Sequence, residues 1–360
     1  MEAFDDIFRD CTSLGTKIPK ENYLSEGKHI VVDQGQNDIA GYTDLEDGLF
    51  EDVPAIIFGD HTRIIKYVDE PFFLGADGVK LLKSKKQGAN YKYLYYALKN
   101  ARIPDTGYNR HFKWLKEIRI EYPNAEKQQE IVEILDRISV VIEKRELELR
   151  QLDELIKARF VEMFGNPESD EKYPQIAIKD FTDVISGGTP DRKNNEYWEN
   201  GTVPWVKTTE LQNNRINAVE ESITEKGLSE SSAKVVPEDT VLIAMYGQGK
   251  TRGMTAILGI PASTNQACAC ILPCETVEPK YLWQYMIMSY DRLRNMAQGG
   301  NQPNLNGNMI KNFTVLVPPV ELQGKFVRFV EQIDKSKVAV KKALDVAQLL
   351  FDSLMQKYFG

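Results

Sequence analysis

Residues 245–255, with the sequence MYGQGKTRGMT, contain groups that could bind phosphate. Gly249-Lys250-Thr251 resembles the end of a nucleotide-binding loop, in which backbone amides and a lysine ammonium group surround the phosphates. Such a loop needs another glycine five positions earlier and a helix immediately after it, but Ala244 occupies that position. The following residues, RGMTAIL, indicate a turn that enters a strand. The sequence therefore argues against nucleotide hydrolysis and places Lys250 and Arg252 on a glycine-containing turn.

The cysteines and histidines could in principle bind a metal ion. The four cysteines do not form paired Cys-x-x-Cys units, and the chain has only three histidines. Cys268 and Cys270 alternate with alanines in an apolar run, so we expect them to be buried strand thiols. We therefore predict no metal site.

The sequence lacks the residue patterns that two catalytic alternatives require. Pro190-Asp191 followed by Glu278-Pro279-Lys280 can be aligned with a nuclease carboxylate pattern, but a central proline disfavours the strand that carries such a site. A methyltransferase that modifies an amino group needs Asn or Asp before two prolines and an aromatic residue after them. Pro318-Pro319 lies between two valines. The chain is thus predicted not to be an enzyme.

Length and composition indicate a folded protein of two or three domains. The chain has 360 residues, of which 42% are hydrophobic, enough for a core in each domain. An acidic start and the lack of any long apolar run predict a cytoplasmic protein with no membrane span. The net charge of −8 argues against indiscriminate nucleic-acid binding, so any DNA contact should be local or shared with a more basic partner.

The chain contains an internal repeat. The sequence from Glu126 to Gly165 matches that from Glu321 to Gly360 without a gap, pairing for example Gln128 with Gln323. Upstream, KYLYYAL from Lys92 matches KYLWQYM from Lys280 at a different offset, so the loops between them differ in length. Each repeat is therefore predicted to be one globular region followed by one long helix.

The two predicted helices carry heptad patterns, with apolar residues alternating at spacings of four and three. As a helix, the 38 positions from Glu126 to Met163 would span about 57 Å, more than one DNA turn of about 34 Å. Each helix can pack antiparallel on the other. Arg145 and Lys337 interrupt the apolar seams. The seam positions of the first helix are Ile131, Leu135, Ile138, Ile142, Leu149, Leu152 and Ile156. Those of the second helix are Phe326, Val330, Ile333, Val340, Leu344, Ala347, Phe351 and Leu354.

The globular regions alternate short apolar runs with turns and short helical stretches, which predicts α+β domains. Residues 91–99 and 280–295 are the clearest helical stretches. The expected order is a first globular domain at 1–125, a long helix at 126–165, a second globular domain at 166–320 and a long helix at 321–360. The fold class is α+β, with two tandem globular domains, an antiparallel coiled coil and a pseudo-two-fold internal repeat.

The order and spacing of several motifs resemble the DNA-specificity (S) subunits of type I restriction-modification systems. The resemblance covers nearly the whole chain, and it is the combination of motifs that is specific. The matching segments are PPVELQ from Pro318, PNAEKQ from Pro123, FGNP from Phe164, FGDHTR from Phe58, GADG from Gly75, SGGTP from Ser186 and YGQGKTRG from Tyr246.

This resemblance implies two target-recognition domains, each reading half of a split site in double-stranded DNA. The helices would set the gap and dock two copies of a methyltransferase subunit, with a restriction or translocase subunit as a further partner. No cofactor is expected on this chain; S-adenosylmethionine and ATP with Mg²⁺ belong to the partner subunits. The first domain starts almost at Met1 and is the shorter, so we expect its reading surface to be reduced.

Specific base reading needs Arg, Lys, Asn or Gln side chains on backbone that can enter a groove, and glycine-rich loops meet that requirement. Solvated loops whose charges serve only solubility are the alternative interpretation. The candidates in the second domain are Gly188, Thr189, Lys207, Thr208, Tyr246, Gln248, Lys250, Arg252, Asn265, Gln266, Asn301 and Gln302. Those in the first domain are His61, Arg63, Tyr108, Asn109, Arg110 and Lys113.

The composition also fits a second function. A coiled-coil adaptor that binds only proteins would suit the acidic composition, but it would leave the glycine-rich loops with Gln, Asn and Arg unexplained.

Overall fold

The computed structural model describes residues 1–75, 78–107, 109–166, 172–247, 249–297 and 304–360. The chain forms two compact units. The first comprises Met1–Leu147 with Val340–Gly360, and the second comprises Glu148–Ala339. Each unit contains one mixed helix-and-sheet head and parts of both long helices, as the α+β class predicted from the repeat requires.

The first head contains two main sheets and three short helices, and it leads into the first long helix. Its elements are β1 (Glu2–Ala3), α1 (Phe4–Ile7), β2 (Phe8–Asp10), β3 (His29–Val32), β4 (Gly41–Thr43), β5 (Ala55–Gly59), β6 (Ile65–Val68), β7 (Phe72–Leu74), β8 (Val79–Ser84), α2 (Tyr91–Lys99), α3 (Phe112–Leu115), β9 (Arg119–Ile120) and the long helix α4 (Ala125–Phe164).

Strand pairing places β2, β8, β5 and β6 in one antiparallel sheet and β4, β3 and β7 in the other. In the smaller sheet β3 pairs antiparallel with β4 and parallel with β7. The fully buried strands β5 and β7 supply much of the core between the sheets, together with Phe50 and Leu81. A two-residue ladder joins β1 to β9.

The second unit contains β10 (Gln175–Ala177), β11 (Val184–Ser186), β12 (Val203–Val206), β13 (Asn214–Ile216), β14 (Glu221–Ile223), α5 (Glu225–Ser229), β15 (Val241–Ala244), β16 (Thr255–Leu258), β17 (Ser263–Thr264), β18 (Cys268–Ile271), α6 (Pro279–Met288), α7 (Tyr290–Met296), α8 (Gly307–Lys311), β19 (Thr314–Leu316) and the long helix α9 (Val320–Phe359).

The second head repeats the topology of the first. Strands β11, β18, β15 and β16 form an antiparallel sheet, and β14, β12 and β17 form a small sheet in which β12 and β17 run parallel. The ladder β10–β19 corresponds to β1–β9. The described part of the first head has no counterpart of β13, which pairs parallel with β16. The shorter first domain therefore keeps both sheets, and part of its length difference lies in the loop that carries β13.

Most short elements lie where the sequence patterns place them. Helix α2 has the predicted bounds. The stretch 280–295 forms two helices, α6 and α7, because the helical conformation is interrupted at Ser289. The two long helices begin and end one residue before the predicted bounds. Cys268 and Cys270 are buried in β18, and burial raises the pKa of each thiol.

The long helices run antiparallel within the second unit. Near the end of α4, the Phe164 ring lies 5.6 Å from the Phe326 ring near the start of α9. Farther from these ends, Lys337 Nζ lies 2.6 Å from Asp153 Oδ1. The residue numbers of successive partners thus decrease along α4 as they increase along α9, as in any antiparallel pair. The charged interruption at Lys337 is accommodated by this ion pair at the seam.

The same arrangement of helix ends occurs in the first unit, where the start of α4 and the end of α9 share one core. Ile131, Leu135, Phe351 and Met355 belong to one buried cluster with the first head, and Ile138, Ile142 and Leu354 pack against it. In the second unit, Ile156, Phe326, Val330 and Ile333 are buried, and Leu152 is partly buried. Val340 and Ala347 are buried, whereas Leu149 and Leu344 have intermediate exposure. Every predicted seam residue is thus buried or partly buried.

Each head is fixed to its helices by equivalent contacts. The Gln128 side chain donates a 2.8 Å hydrogen bond to the Pro123 carbonyl, and Gln323 makes the same 2.8 Å bond to Pro318. The Tyr93 hydroxyl donates to the Glu121 carbonyl at 2.8 Å. Its counterpart Tyr281 donates to the Leu316 carbonyl at 2.9 Å.

Ring packing extends this correspondence. The Tyr93 ring lies 5.3 Å from that of Phe359 at the end of α9, and the Tyr281 ring lies 5.3 Å from that of Phe164 at the end of α4. Each head therefore rests on the start of one long helix and on the end of the other. Within the described residues, none of the helices combines the length and apolar character needed to span a membrane.

Candidate nucleic-acid interface

Three loops of the second head are held together at the ends of neighbouring strands. The Asn265 amide after β17 donates to the Val206 carbonyl at the end of β12, at 3.0 Å. The Met245 amide after β15 donates to the Ala267 carbonyl at 2.8 Å. The predicted reading loops that begin at residues 207, 245 and 265 therefore share one edge of the head.

The SGGTP segment packs against this edge because two glycines allow close backbone approach. A Cβ on Gly187 would meet the carbonyl oxygens of Thr264 and Asn265, and one on Gly188 would meet the backbone of residues 232 and 233. Gly188 is buried, and its carbonyl accepts a 2.9 Å hydrogen bond from Trp205 Nε1. Gly188 therefore positions the loop through its backbone, and its predicted contact with DNA stays a prediction.

Thr189 and Gln266, predicted separately as base readers, are brought into direct contact. The Thr189 hydroxyl donates a hydrogen bond to the Gln266 side-chain oxygen. Gln266 is exposed and Thr189 is partly exposed. The amide nitrogen of Gln266 thus belongs to a side chain whose orientation is set by its neighbour, which suits a polar reader of a base edge.

Lys207 is placed at the same edge, but carboxylates surround it. Its ammonium lies 2.6 Å from Glu220 Oε2 and 3.0 Å from Glu221 Oε1, and Arg192 also pairs with Glu221. The hydrogen bond from Arg192, followed by that from Lys207, lowers the pKa of Glu221. The hydrogen bond to Glu220 raises the pKa of Lys207. Much of the Lys207 charge is therefore balanced within the protein; Thr208 begins the short 3-10 turn that follows it.

The Gly-Lys-Thr segment lies in a β-hairpin loop, residues 245–254, between antiparallel β15 and β16. Three glycines in it have positive φ, namely Gly247, Gly249 and Gly253, so the loop turns in a way that glycine favours. Lys250 and Tyr246 are exposed, and Arg252 is partly exposed. This geometry agrees with the predicted turn and strand and is unlike a nucleotide-binding loop, which leads into a helix.

Helix α7 supports this hairpin and adds a cation that the sequence analysis missed. The Tyr290 hydroxyl donates to the Lys250 carbonyl at 2.8 Å. Arg294 Nη1 donates to the Arg252 carbonyl at 2.9 Å and to the Tyr290 hydroxyl at 3.1 Å. Lys250, Arg252 and Arg294 thus form a local basic cluster in a chain of negative net charge. A long sequence separation hid Arg294 from pattern analysis.

Leu305 also lies at this edge. Its amide donates to the Met245 carbonyl at 3.0 Å, so Leu305 adjoins the start of the hairpin. Gln248, Asn301 and Gln302 lie outside the described residues, as does Tyr108 in the first head.

The first head holds its own loops together through Gln34 and His61. The His61 amide donates to Gln34 Oε1 at 3.1 Å, and the Thr62 hydroxyl donates to the Gln34 carbonyl at 2.7 Å. His61 Nδ1 lies 3.1 Å from the Asn109 carbonyl. The predicted residues His61 and Asn109, distant in sequence, therefore lie side by side.

The remaining cations of the first head differ in their surroundings. Arg63 has a positive φ of 62°, and its guanidinium lies 2.8 Å from Asp105 Oδ2. Arg110 and Lys113 are exposed, and the Lys113 ammonium lies 4.1 Å from the Trp114 ring centroid. Arg110 and Lys113 are thus better placed than Arg63 to meet phosphates, because Arg63 already has a carboxylate partner.

Gln34 and its loop, residues 33–40, were not identified from the sequence. Val32 at the end of β3 occupies the place that Val206 occupies at the end of β12, because each strand is the middle strand of its three-stranded sheet. The Gly75 amide donates to the Val32 carbonyl at 2.8 Å, as Asn265 does to Val206. Extending the internal repeat upstream to β3 was the sequence signal that could have identified this loop.

The residues of the nuclease alternative do not form a carboxylate site. Asp191 Oδ1 accepts a hydrogen bond from the Lys193 amide, and Glu278 caps α6 by accepting from the Tyr281 amide at 2.7 Å. Among the residues that the structure describes, no group of three His, Cys, Asp or Glu side chains could hold a metal ion.

Comparison with known proteins agrees with this two-headed architecture. The family model for the type I restriction modification DNA specificity domain matches twice, at residues 5–152 and 170–346. The specificity subunit of the type I restriction enzyme EcoR124I/EcoR124II from Escherichia coli is 26% identical over 331 residues, covering 87% of this chain and 81% of that protein. The MjaIX specificity subunit from Methanocaldococcus jannaschii is 29% identical over 188 residues, covering 51% and 42%.

Solved structures show the same fold. The type I restriction-modification S subunit from M. genitalium aligns with a TM-score of 0.59 at 19% identity, covering 100% of this chain and 95% of that one. A chain from a study of type I system assembly and conformational transition aligns with a TM-score of 0.55 at 16% identity, covering 99% and 95%. Since the family model matches most of both halves, this chain belongs to the type I restriction-modification DNA specificity family.

Proposed function

We propose that this chain is the non-catalytic specificity subunit of a type I restriction-modification complex and that it reads a bipartite DNA sequence. The observation that carries the proposal is the repeated loop edge. In each head, amide-to-carbonyl bonds hold together the loops that follow equivalent strands, and those loops bear Gln, Asn, Lys and Arg side chains. Two such edges in one chain suit a site made of two half-sites.

The charge distribution supports specific rather than indiscriminate contact. The chain as a whole is acidic, but Lys250 and Arg252 on one hairpin of the second head, with Arg294 on the adjacent helix α7, concentrate positive charge there. Phosphate contacts made by such cations set register on the duplex, and the polar side chains nearby discriminate bases. The remaining affinity would come from more basic partner subunits.

The long helices supply a surface for those partners. Both expose several aliphatic side chains, and such side chains are available for contact with a protein partner. We propose that two copies of a methyltransferase subunit dock here, one for each half of the internal repeat. A restriction or translocase subunit would complete the complex. S-adenosylmethionine and ATP with Mg²⁺ would then bind those subunits. The exposed positions are Val140, Val141, Leu147, Leu155, Val161, Val338, Val346, Leu349 and Leu350.

The helices also suit the role of a spacer between the half-sites. Each runs for 40 residues without interruption, which is about 60 Å at 1.5 Å per residue. A continuous helix transmits a fixed length, so the number of base pairs between half-sites would be constant.

Reconstitution with a type I methyltransferase subunit from the same organism tests the proposal. Methylated positions would be mapped by sequencing on DNA incubated with the chain alone, with the methyltransferase alone and with both. We expect methylation only in the third reaction, confined to a two-part sequence with a fixed gap. Methylation with no two-part sequence requirement, or none under any condition, would contradict the proposal.

A further inference from the structure

We propose that the loop of residues 33–40 is a base-reading element of the first head and that Gln36 and Asn37 recognise an adenine edge in its half-site. The inference rests on the proposed function and assigns base reading in the first head to this loop. None of these residues was among the readers predicted from the sequence.

The loop lies on the same surface as the predicted readers of the first head. It connects β3 to β4 and is closed by the Ala40 amide, which donates to the Val31 carbonyl at 2.9 Å. At its start, Gln34 contacts both His61 and Thr62 through hydrogen bonds, and His61 in turn contacts Asn109. Loops from three separate parts of the head are therefore joined into one surface.

Glycines make this close packing possible. A side chain at Gly59 would meet Thr62 and Gln34, and one at Gly78 would meet Gln34 and His61. Gly78 also has a φ of +86°, which glycine adopts readily and other residues do not. The backbone around Gln34 is therefore built to bring these loops into contact.

A buried lysine holds the tip of the loop. The Lys66 side chain on β6 is 2% exposed, and its ammonium donates a 2.5 Å hydrogen bond to the Asn37 carbonyl and lies 3.7 Å from Asp33 Oδ1. Burying an ammonium group is costly unless it is paired. Burial lowers the pKa of Lys66, while Asp33 and Asp38 oppose that shift. A buried cation directed at a loop carbonyl fixes the backbone and leaves the side chains of the tip outside.

The side chains left outside have the chemistry that adenine requires. Gln36 and Asn37 are exposed, and Lys66 bonds to the Asn37 backbone rather than to its side chain. A carboxamide can donate to adenine N7 and accept from its N6 amino group in the major groove, a pairing that no other base edge there satisfies. Rigid backbone and exposed carboxamides together are what a discriminating contact needs.

The test uses the complete complex with its methyltransferase, acting on a plasmid library in which each position of both half-sites is randomised in turn. Gln36→Ala with Asn37→Ala should reduce discrimination at one or more adenine positions of a single half-site, by roughly 5- to 100-fold. The other half-site should keep its wild-type preferences, which provides an internal control. Asn22→Ala, an exposed amide on the same head, is the matched control and should change neither half-site.

Lys66→Met examines the positioning role. We expect the same half-site to lose discrimination while methylation directed by the other half-site keeps its base preferences. A general loss of folding would instead lower methylation at every site together, without changing any base preference. Uniformly lower methylation by Lys66→Met, with every base preference unchanged, would overturn the inference. Wild-type discrimination by the Gln36→Ala and Asn37→Ala variant would also overturn it. If the wild-type complex showed no two-part recognition at all, the proposed function itself would fail.

Discussion

Lys92 Nζ lies 2.8 Å from Asp136 Oδ2 and so links helix α2 of the first head to the long helix α4. The repeat places Lys280 and Glu331 at the equivalent positions, and they too form an ion pair, between α6 and α9. The two heads are thus attached by the same charged contact. The surroundings differ, because Asp136 also accepts a 2.6 Å hydrogen bond from the buried Tyr96 hydroxyl.

This difference predicts unequal costs for removing the two carboxylates. Asp136→Ala should lower the free energy of unfolding by about 1–3 kcal/mol, because a buried hydroxyl loses its main partner. Glu331→Ala should cost about 0–1 kcal/mol, since it breaks only a partly exposed ion pair. Denaturant unfolding of the two variants beside the wild type measures both values. Equal losses would show that the Tyr96 bond contributes nothing measurable.

The basic hairpin of the second head should account for part of the salt dependence of DNA binding. Lys250→Ala with Arg252→Ala should weaken affinity on every sequence and reduce the slope of log affinity against log salt by about two. Binding of the complete complex to a duplex, titrated at several salt concentrations, gives the slope. Lys325→Ala with Arg328→Ala removes the same charge from exposed positions on α9. If that control lowered the slope equally, the hairpin would have no special role.

The raised pKa of Glu278 predicts that folding stability depends on pH differently in the two heads. Burial raises the pKa of its carboxyl above the ordinary 4.5, against the opposing effects of the Tyr281 amide and Lys280. In the window between 4.5 and the raised value, the folded state binds more protons than the unfolded state. Stability should therefore fall as pH rises through that window.

The first head uses a neutral residue at the equivalent helix cap, where Asn90 accepts from the Tyr93 amide at 3.1 Å. Glu278→Asn should keep a cap and remove this contribution to the pH slope, whereas Glu278→Ala should also lose about 1 kcal/mol of capping. Thermal midpoints between pH 4 and pH 7 compare the three proteins. An unchanged slope in Glu278→Asn would refute the assignment.

The spacer proposal predicts a defined change in target site. Seven residues added to each long helix at matching seam positions preserve the heptad register and add about 10.5 Å to each helix. The gap between half-sites should then grow by about three base pairs, given about 34 Å for ten. Sequencing of methylated sites measures the gap. Seven residues added to α4 alone should abolish methylation, because each head contacts both helices, which would then differ in length. An unaltered gap in the paired variant would rule out the spacer role.

The sequence predicted the long helices better than the reading surfaces, for a physical reason. A heptad seam is a local pattern, and the repeat fixes where it starts, so the bounds of α4 and α9 were within one residue of prediction. A reading surface is made of loops from distant parts of the chain. Lys207 meets Glu220 and Glu221, and neither short-range pattern nor composition identifies such a pairing.

Two residues illustrate what pattern analysis could not reach. Arg294 lies on a short helix well after the hairpin that it supports, and it joins the basic cluster only through tertiary contact. Lys66 resembles an ordinary polar position on a strand, and only its burial reveals that it holds residues 33–40. Gly188, by contrast, was identified from the sequence, and the structure shows that it is closely packed against the backbone of residues 232 and 233.

The matched side-chain bonds from Gln128 to Pro123 and from Gln323 to Pro318 have an evolutionary consequence. They act as identical couplings at the two junctions where a head meets its helix. Recombination between genes at these junctions would deliver a foreign head with a fitting connector already in place. A lineage could in this way acquire a new DNA target in one event while the remainder of the chain, and the subunits bound to it, stayed the same.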